Sequence, residues 1–293
     1  MKLATTTGGF FQYTNSQPEA LKAIARAGYR YADYSFISDH RERTGIYGED
    51  PQGHIARVAE TAAELGVQMV QAHAPMGTPL ADCDGKLLRD TVASVEACGK
   101  WGIDNLVVHA GYAYHLSKEE TFQKNREFFL PILYAAEQYG VNILIENFDK
   151  MTSPNRYWSD NAPDLLAQIE CIDHPLCHAI WDIGHGNLQP MPQAEALQLL
   201  GSHVRALHIH DNMGTRDTHM PPFTGTVDMD SVMQGLLAIG YTGYFTYEVG
   251  KLTRPVAADT CLAAASLEMR VAAERYWYET GKYVLEAYNC FEE

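Results

Sequence analysis

Eight short apolar runs, rich in β-branched residues, alternate along the chain with longer stretches of helical periodicity, and the last four of them each finish on a side chain of metal-ligating type. In a chain of 293 residues with no low-complexity linker and no break in composition, those observations predict an α/β fold. It is a (β/α)8 TIM barrel, a single domain over 1–293, with the barrel at about 1–255 and a C-terminal helical extension at about 256–293.

The elements follow in order. Strands are read at Lys2–Thr6, Tyr29–Tyr34, Gln68–Ala72, Asn105–His109, Asn142–Glu146, Ala179–Asp182, Ala206–His208 and Tyr244–Glu248. Helical patterns fill the gaps at Pro18–Ala27, Gly53–Leu65, Leu87–Trp101, Glu119–Tyr139, Asn161–Glu170, Pro192–Leu200 and Asp230–Ile239. Ser117 with Glu120 three residues on reads as a capping box, and Pro18, Pro163 and Pro192 suit first turns. The stretch from Pro255 to Tyr283 is alanine-rich and helical in pattern. Its aromatics Tyr276, Trp277, Tyr278 and Tyr283 suit core packing, with a homo-oligomer interface as their other use.

Composition narrows the classes. Hydrophobic residues make up 46%, enough for a large core, and the net charge of −15 disfavours a nucleic-acid partner. The only basic cluster near the expected active face is Arg41 with Arg43, thin for a DNA groove. Six cysteines (83, 98, 171, 177, 261 and 290) form no Cys-x-x-Cys pair, so they read as scattered free thiols. The opening MKLATTTGGFFQYTNS lacks the apolar core of a secretory leader, and no run approaches the ~20 apolar residues of a membrane span. A cytoplasmic location away from membranes is the expectation.

The chemistry lies at the strand ends. Glu146, Asp182, His208 and Glu248 close four runs at spacings of 36, 26 and 40 residues, each long enough for a helix and its loops. One such residue alone is a solvated strand end. Four in register aim at one point above the C-terminal face of a barrel and make an oxygen-rich site for Mn²⁺, Mg²⁺, Co²⁺ or Zn²⁺. Further candidates for metal or substrate binding are His73 and His109, also strand-terminal, His185 in Asp182-Ile-Gly-His185, and Asp217 and His219 after the seventh strand. Gly184 allows a close turn there. His210 and Asp211 are read as support or loop. His40, His54, His115, His174, His178 and His203 have no such placement and read as ordinary surface residues.

Taken together, Glu146-Asn, Asp182-Ile-Gly-His185, His208-Ile-His-Asp211-Asn212, Asp217-Thr-His219-x-Pro-x-x-x-Gly225 and Glu248 resemble the xylose-isomerase-like TIM barrels over roughly residues 1–255. That group includes sugar-phosphate isomerases and epimerases, ketose 3-epimerases and inosose-processing enzymes. The resemblance implies a metal-dependent isomerase or epimerase acting on a small carbohydrate by proton abstraction next to a carbonyl, through a metal-stabilised enediolate. It implies that Glu146, Asp182, His208 and Glu248 hold one divalent ion, that Glu146 and Glu248 also move the protons, and that His185 contacts substrate.

The same superfamily contains zinc-dependent apurinic-site endonucleases, and all nine residue types of their three-zinc cluster have counterparts here: His73, His109, Glu146, Asp182, His185, His208, Asp217, His219 and Glu248. Against that phosphodiesterase reading, Thr-Thr-Thr-Gly-Gly replaces that family's first-strand signature, His109-Ala-Gly stands where His-Pro-Gly is expected, and Asp182-Ile-Gly-His185 replaces Asp-Thr-Cys-His. The free-ketose epimerases carry a Glu and an Arg near the positions following Glu146 and His208. Here Asn-Phe-Asp-Lys-Met-Thr follows Glu146 and Arg216 comes later, so substrate recognition differs. A lyase or dehydratase on a keto-sugar or inosose uses the same enediolate. A barrel that only binds a ligand is disfavoured by its density of acid–base groups. Arg216 and Lys251 are candidate substrate contacts, as are Lys150, Arg156 and Arg254, each placed just after a strand end to meet a phosphate or carboxylate.

Overall fold

A computed structural model describes residues 1–149, 158–250 and 265–293. Eight parallel strands, β1 (Lys2–Thr6), β2 (Tyr31–Ser35), β3 (Gln68–His73), β4 (Asn105–Val108), β5 (Asn142–Glu146), β6 (Cys177–Asp182), β7 (Val204–His208) and β8 (Tyr244–Tyr247), pair in the order β7-β6-β5-β4-β3-β2-β1-β8. The Ile209–Tyr247 bridge joins the two ends of that sheet, with Ile209 N donating to Thr246 O and Glu248 N to Ile209 O. The result is a (β/α)8 barrel, as the alternation predicts.

The intervening helices are α1 (Gln17–Ala27), α2 (Ile37–Glu42), α3 (Pro51–Leu65), α4 (Lys86–Trp101), α5 (Lys118–Glu137), α6 (Ala162–Ile172), α7 (Ile183–Gly186), α8 (Gln193–Leu200) and α9 (Met229–Ala238), and α10 (Leu267–Ala287) follows the barrel. The Ser117–Glu120 capping box forms as expected, and Pro18 and Pro163 open their helices. Pro192 is instead the residue just before α8. β2 starts two residues late because Tyr29 N closes α1 by bonding Ile24 O, with Gly28 left-handed at φ 106°. Helices α2 and α7, with six and four residues, are too short to show a period and were not expected.

The barrel lumen is divided. On one side Val107, Leu144, Ile180 and Ala206 form a small apolar cluster of their own. On the other, Thr246 Oγ1 donates to Gln71 Oε1 and Gln71 Nε2 to Asp33 Oδ2, all fully buried. Outside, α10 covers β1 and β8 with Val271, Trp277, Val284 and Leu285. Of the tail aromatics, Trp277 is buried and Tyr278 half-buried, but Tyr276 and Tyr283 point to solvent, so core packing accounts for only half of that set. The five described cysteines are free. No helix of the described residues is long and apolar enough to cross a membrane.

Candidate metal centre and active site

The strand ends deliver their side chains to one place. Glu146, Asp182 and His208 are the last residues of β5, β6 and β7, and Glu248 follows β8 directly. One ligand atom from each lies within 4.8 Å of the others. Two further groups flank this quartet on the same criterion: His73, His109 and Glu146, and His185, His210, Asp217 and His219. Glu146 is shared. Its Oε1 faces His208 Nδ1 at 2.7 Å and its Oε2 faces His109 Nε2 at 2.7 Å and His73 Nε2 at 3.6 Å.

The imidazoles are set up as ligands. A carbonyl only accepts, so a ring nitrogen bonded to one carries a proton, and in the neutral ring the other presents its lone pair. His73 Nδ1 donates to Ala74 O at 2.8 Å, His185 Nδ1 to Asn147 O at 2.9 Å and His219 Nδ1 to Glu248 O at 2.8 Å. In all three it is Nε2 that points into the site, where it can give up its proton to a metal. Buried His185 Nε2 has no hydrogen-bond partner. His73 Nε2 and His109 Nε2 face each other at 3.2 Å beside a carboxylate. This donor set, with carboxylate oxygens and imidazole lone pairs converging in a buried space, fits a divalent ion of the transition series.

Electrostatics agree. Burial opposes charge on His208, yet Glu248, Glu146 and Asp33 together push its pKa well above the ordinary range. Burial is likewise outweighed at His185, raised to about 10 by Asp182 and Asp217, and at His219, raised to about 9 by Asp217 and Glu248. Glu146 and Asp182 are held below the usual carboxylate range despite burial, by the imidazoles around them. The pocket is a trap for positive charge.

The local chain explains the aim. Asp182 Oδ1 accepts from His185 N at 2.7 Å and so caps α7, which turns His185 back over the site. Gly184 is required there by His210 more than by the turn: a Cβ at 184 would lie 2.0 Å from the His210 ring. His210 Nε2 bonds Asp182 Oδ2 at 2.9 Å, and its ring stacks on His219 at 3.9 Å. Asp211 pins the loop after β7 by accepting from the backbone N–H groups of Asn212, Gly225 and Val227. That loop carries Asp217, whose Oδ2 is 3.4 Å from His185 Nε2 and 2.9 Å from His219 Nε2. His219 itself is left-handed at φ 46°.

Three residues were given no role in the sequence reading, though Asn147 stands in its Glu146-Asn motif. Asp33, in the middle of β2, reaches His208 Nε2 at 3.2 Å. Asn147 holds β5 to β6 by exchanging bonds with Asp182 N and O. Arg270 of α10, fully buried, donates to Val249 O at 3.0 Å and Gly250 O at 2.6 Å, the residues following Glu248, and pairs with Glu274 at 2.5 Å. Asn147 adjoins a ligand and could have been suspected; the other two have no local signal. Arg216 is exposed on the loop before Asp217. Lys251, with Lys150, Arg156 and Arg254, lies outside the described residues. Of the six histidines read as surface, only His115 is exposed; His40, His54, His174, His178 and His203 are half-buried.

The fold and these strand-end side chains define a class, and comparison with known proteins shows the family. Residues 21–269 match the xylose isomerase-like TIM barrel family, and the chain belongs to it. Among curated relatives, an uncharacterised protein, MJ1311, of Methanocaldococcus jannaschii is 29% identical over 160 residues, 53% of this chain and 54% of that protein. A fructoselysine 3-epimerase of Escherichia coli O157:H7 is 30% identical over 114 residues, 39% of this chain and 40% of that enzyme. The chain thus matches about half or less of these relatives' lengths. In solved structures the fold is shared with a D-tagatose 3-epimerase-like protein (TM-score 0.76, 22% identity, 99% of this chain and 98% of the other). It is shared also with the D-psicose 3-epimerase of Clostridium cellulolyticum H10 (TM-score 0.77, 15% identity, 97% and 99%).

Proposed function

We propose that this protein is a divalent-metal-dependent sugar isomerase or epimerase that moves a proton next to a carbonyl. The observation that carries the reading is the placement of two carboxylates, Glu146 and Glu248, in one ligand group with Asp182 and His208, beside a cleft of about 460 Å³ that Glu248 and His219 help to line. That volume suits a small ligand. The named epimerases among its relatives point the same way.

Glu146, Asp182, His208 and Glu248 would hold the ion, which when bound supplies Lewis-acid stabilisation of negative charge developing on the substrate oxygens. Glu146 and Glu248 come from β5 and β8, from different sides of the barrel mouth. One takes the proton from carbon and the other returns one, giving epimerisation; a single carboxylate that takes and returns it gives isomerisation. Its imidazole neighbours keep Glu146 ionised against burial, so its strength as a base comes from position. His185, whose buried Nε2 has no hydrogen-bond partner, is placed to bond a substrate hydroxyl. Loss of a leaving group from the same enediolate would make the enzyme a lyase.

The three adjoining ligand groups, two of them sharing Glu146, also suit a multinuclear phosphodiesterase. One experiment separates the two. Metal-loaded protein is screened against free and phosphorylated ketoses for solvent deuterium at the carbon next to the carbonyl, and in parallel against abasic-site DNA. Chelator-sensitive deuterium incorporation without strand cleavage supports the epimerase reading. Strand cleavage without exchange overturns it.

A further inference from the structure

We infer that Arg41 binds an oxyanion, a carboxylate or a phosphate, carried by the substrate away from its reacting carbonyl. The inference rests on the sugar-enzyme reading above and adds the substrate's charge to it.

The cleft beside Glu248 has a second wall, built by the segment that follows β2. Ser35 ends that strand, and Ile37, Ser38, Arg41 and Glu42 of α2 line the same space as Glu248 and His219. Ile37, Ser38 and Arg41 share one helix face, as residues three and four apart must. The other basic residues nearby turn away from it. His40 Nε2 and Arg43 Nη1 both meet Asp90 Oδ2, at 3.0 and 2.7 Å, where Lys86 joins them at 3.2 Å. Arg43 also lies over the Tyr47 ring at 5.4 Å. Asp90 therefore gathers two cations and an imidazole outside the cleft, while Arg41 has no hydrogen bond or ion pair among the described residues. In a chain of net charge −15, Arg41 leaves an exposed guanidinium without a carboxylate partner on the wall of this cleft. Its planar fork of donors matches carboxylate and phosphate oxygens. The Ser35 and Ser38 hydroxyls lie on the same wall to assist.

Glu42 works against this charge. It stands where the cleft meets an adjoining cavity of about 360 Å³ that runs past Phe11 and Ser38 toward Asp39 and His54. Of these two spaces, Arg41 lines the cleft beside Glu248 and not the adjoining cavity. An anion seated there meets Arg41 first, and Glu42 tempers its affinity. The competing assignment is a solvated rim arginine with no role.

The test uses the full-length protein loaded with Mn²⁺. Affinities are measured calorimetrically for a neutral ketohexose, its 6-phosphate and a ketohexuronate, with wild type, Arg41→Gln and Glu42→Gln. At least one charged probe should bind more tightly than the neutral one. Arg41→Gln should weaken that charged probe roughly 10- to 100-fold more than the neutral sugar, the range of a lost charge-assisted bond. Glu42→Gln should tighten it. Which probe responds identifies phosphate or carboxylate as the group recognised. Equal effects of Arg41→Gln on charged and neutral probes, no effect, or no binding of any probe overturns the inference. Deuterium exchange judges the epimerase reading separately: exchange on a ketose with no Arg41-dependent preference refutes only the role of Arg41, and Arg41-dependent affinity without exchange on any sugar refutes only the epimerase.

Discussion

Asp33 Oδ2 lies 3.2 Å from His208 Nε2, across the ring from the Nδ1 that faces Glu146 Oε1 at 2.7 Å. A fully buried carboxylate behind an imidazole fixes which nitrogen is bare and makes that nitrogen a better donor to a metal. Gln71 Nε2 bonds the same Asp33 oxygen at 3.3 Å and is oriented in turn by Thr246. The polar half of the lumen is therefore a support that begins at β8 and ends on His208, a candidate ligand. Asp33→Asn keeps the shape and removes the charge. Metal affinity, read by chelator competition, should fall about 10- to 100-fold. Unchanged affinity would show that Asp33 only fills the barrel.

Glu146→Gln and Glu248→Gln should each remove most turnover on the true substrate, by roughly 10²- to 10⁴-fold, because the amide keeps the volume but cannot accept the proton. Circular dichroism should show the fold intact. The informative readout is deuterium wash-in from each epimer: either variant can retain exchange from one epimer while failing to interconvert the two. Asp182→Asn should act by weakening metal retention, since no proton transfer is assigned to it. Full epimerisation in both Glu variants would remove these residues from the mechanism.

What could be read from the sequence follows the range of the signals. β1 and β5 match their expected limits, and the other strands differ by a residue or two, because an apolar run bounded by turn residues is a local pattern. Glu146, Asp182, His208 and Glu248 were legible because a barrel sends strand ends to one face, so position along the strand predicts position in space. Asp217 and His219 were undecided in sequence, since nothing local says whether a loop folds inward. Asp211, buried and bonded to the backbone at Asn212, Gly225 and Val227, decides it. Asp33 and Arg270 were illegible because their partners lie 175 residues away in His208 and 20–21 away in Gly250 and Val249. His210, read from the sequence as support or loop with no partner named, bonds Asp182, and the role of Gly184 in making room for its ring appears only in three dimensions.

The number of ions is a separate question from the identity of the proton movers. The quartet should bind one ion most tightly, since it offers three carboxylates and an imidazole in one group. The flanking groups each present bare imidazole nitrogens and should take further ions more weakly. His73→Asn and His219→Asn should each lower the metal count, by elemental analysis at saturating Zn²⁺, while leaving the tightest ion in place. If neither variant changes the count, the flanking histidines are substrate contacts and only one ion is bound.

Away from the metal centre, His54 gives a pH prediction. Its Nε2 lies 2.9 Å from the Tyr34 hydroxyl, which donates to Asp39 Oδ2 at 2.8 Å, so the neutral ring donates to the hydroxyl oxygen. Burial and then Arg57 lower its pKa to about 4, below the value near 6.5 of an unfolded chain. Between those limits the unfolded state binds a proton that the folded state does not, so stability rises with pH through this window. The contribution is complete above about pH 6.5 and is lost as pH falls toward 4. After allowance for the water that reaches the ring it amounts to about 1–2 kcal/mol. His54→Gln, which cannot titrate, should flatten the fall in stability between pH 7 and pH 5. Chemical denaturation of both proteins in chelator, so that metal release does not enter, measures the difference. Some slope will remain, because burial and Arg205 also lower His178 to about 4. Parallel curves for wild type and His54→Gln would mean that His54 titrates alike in the folded and unfolded chain.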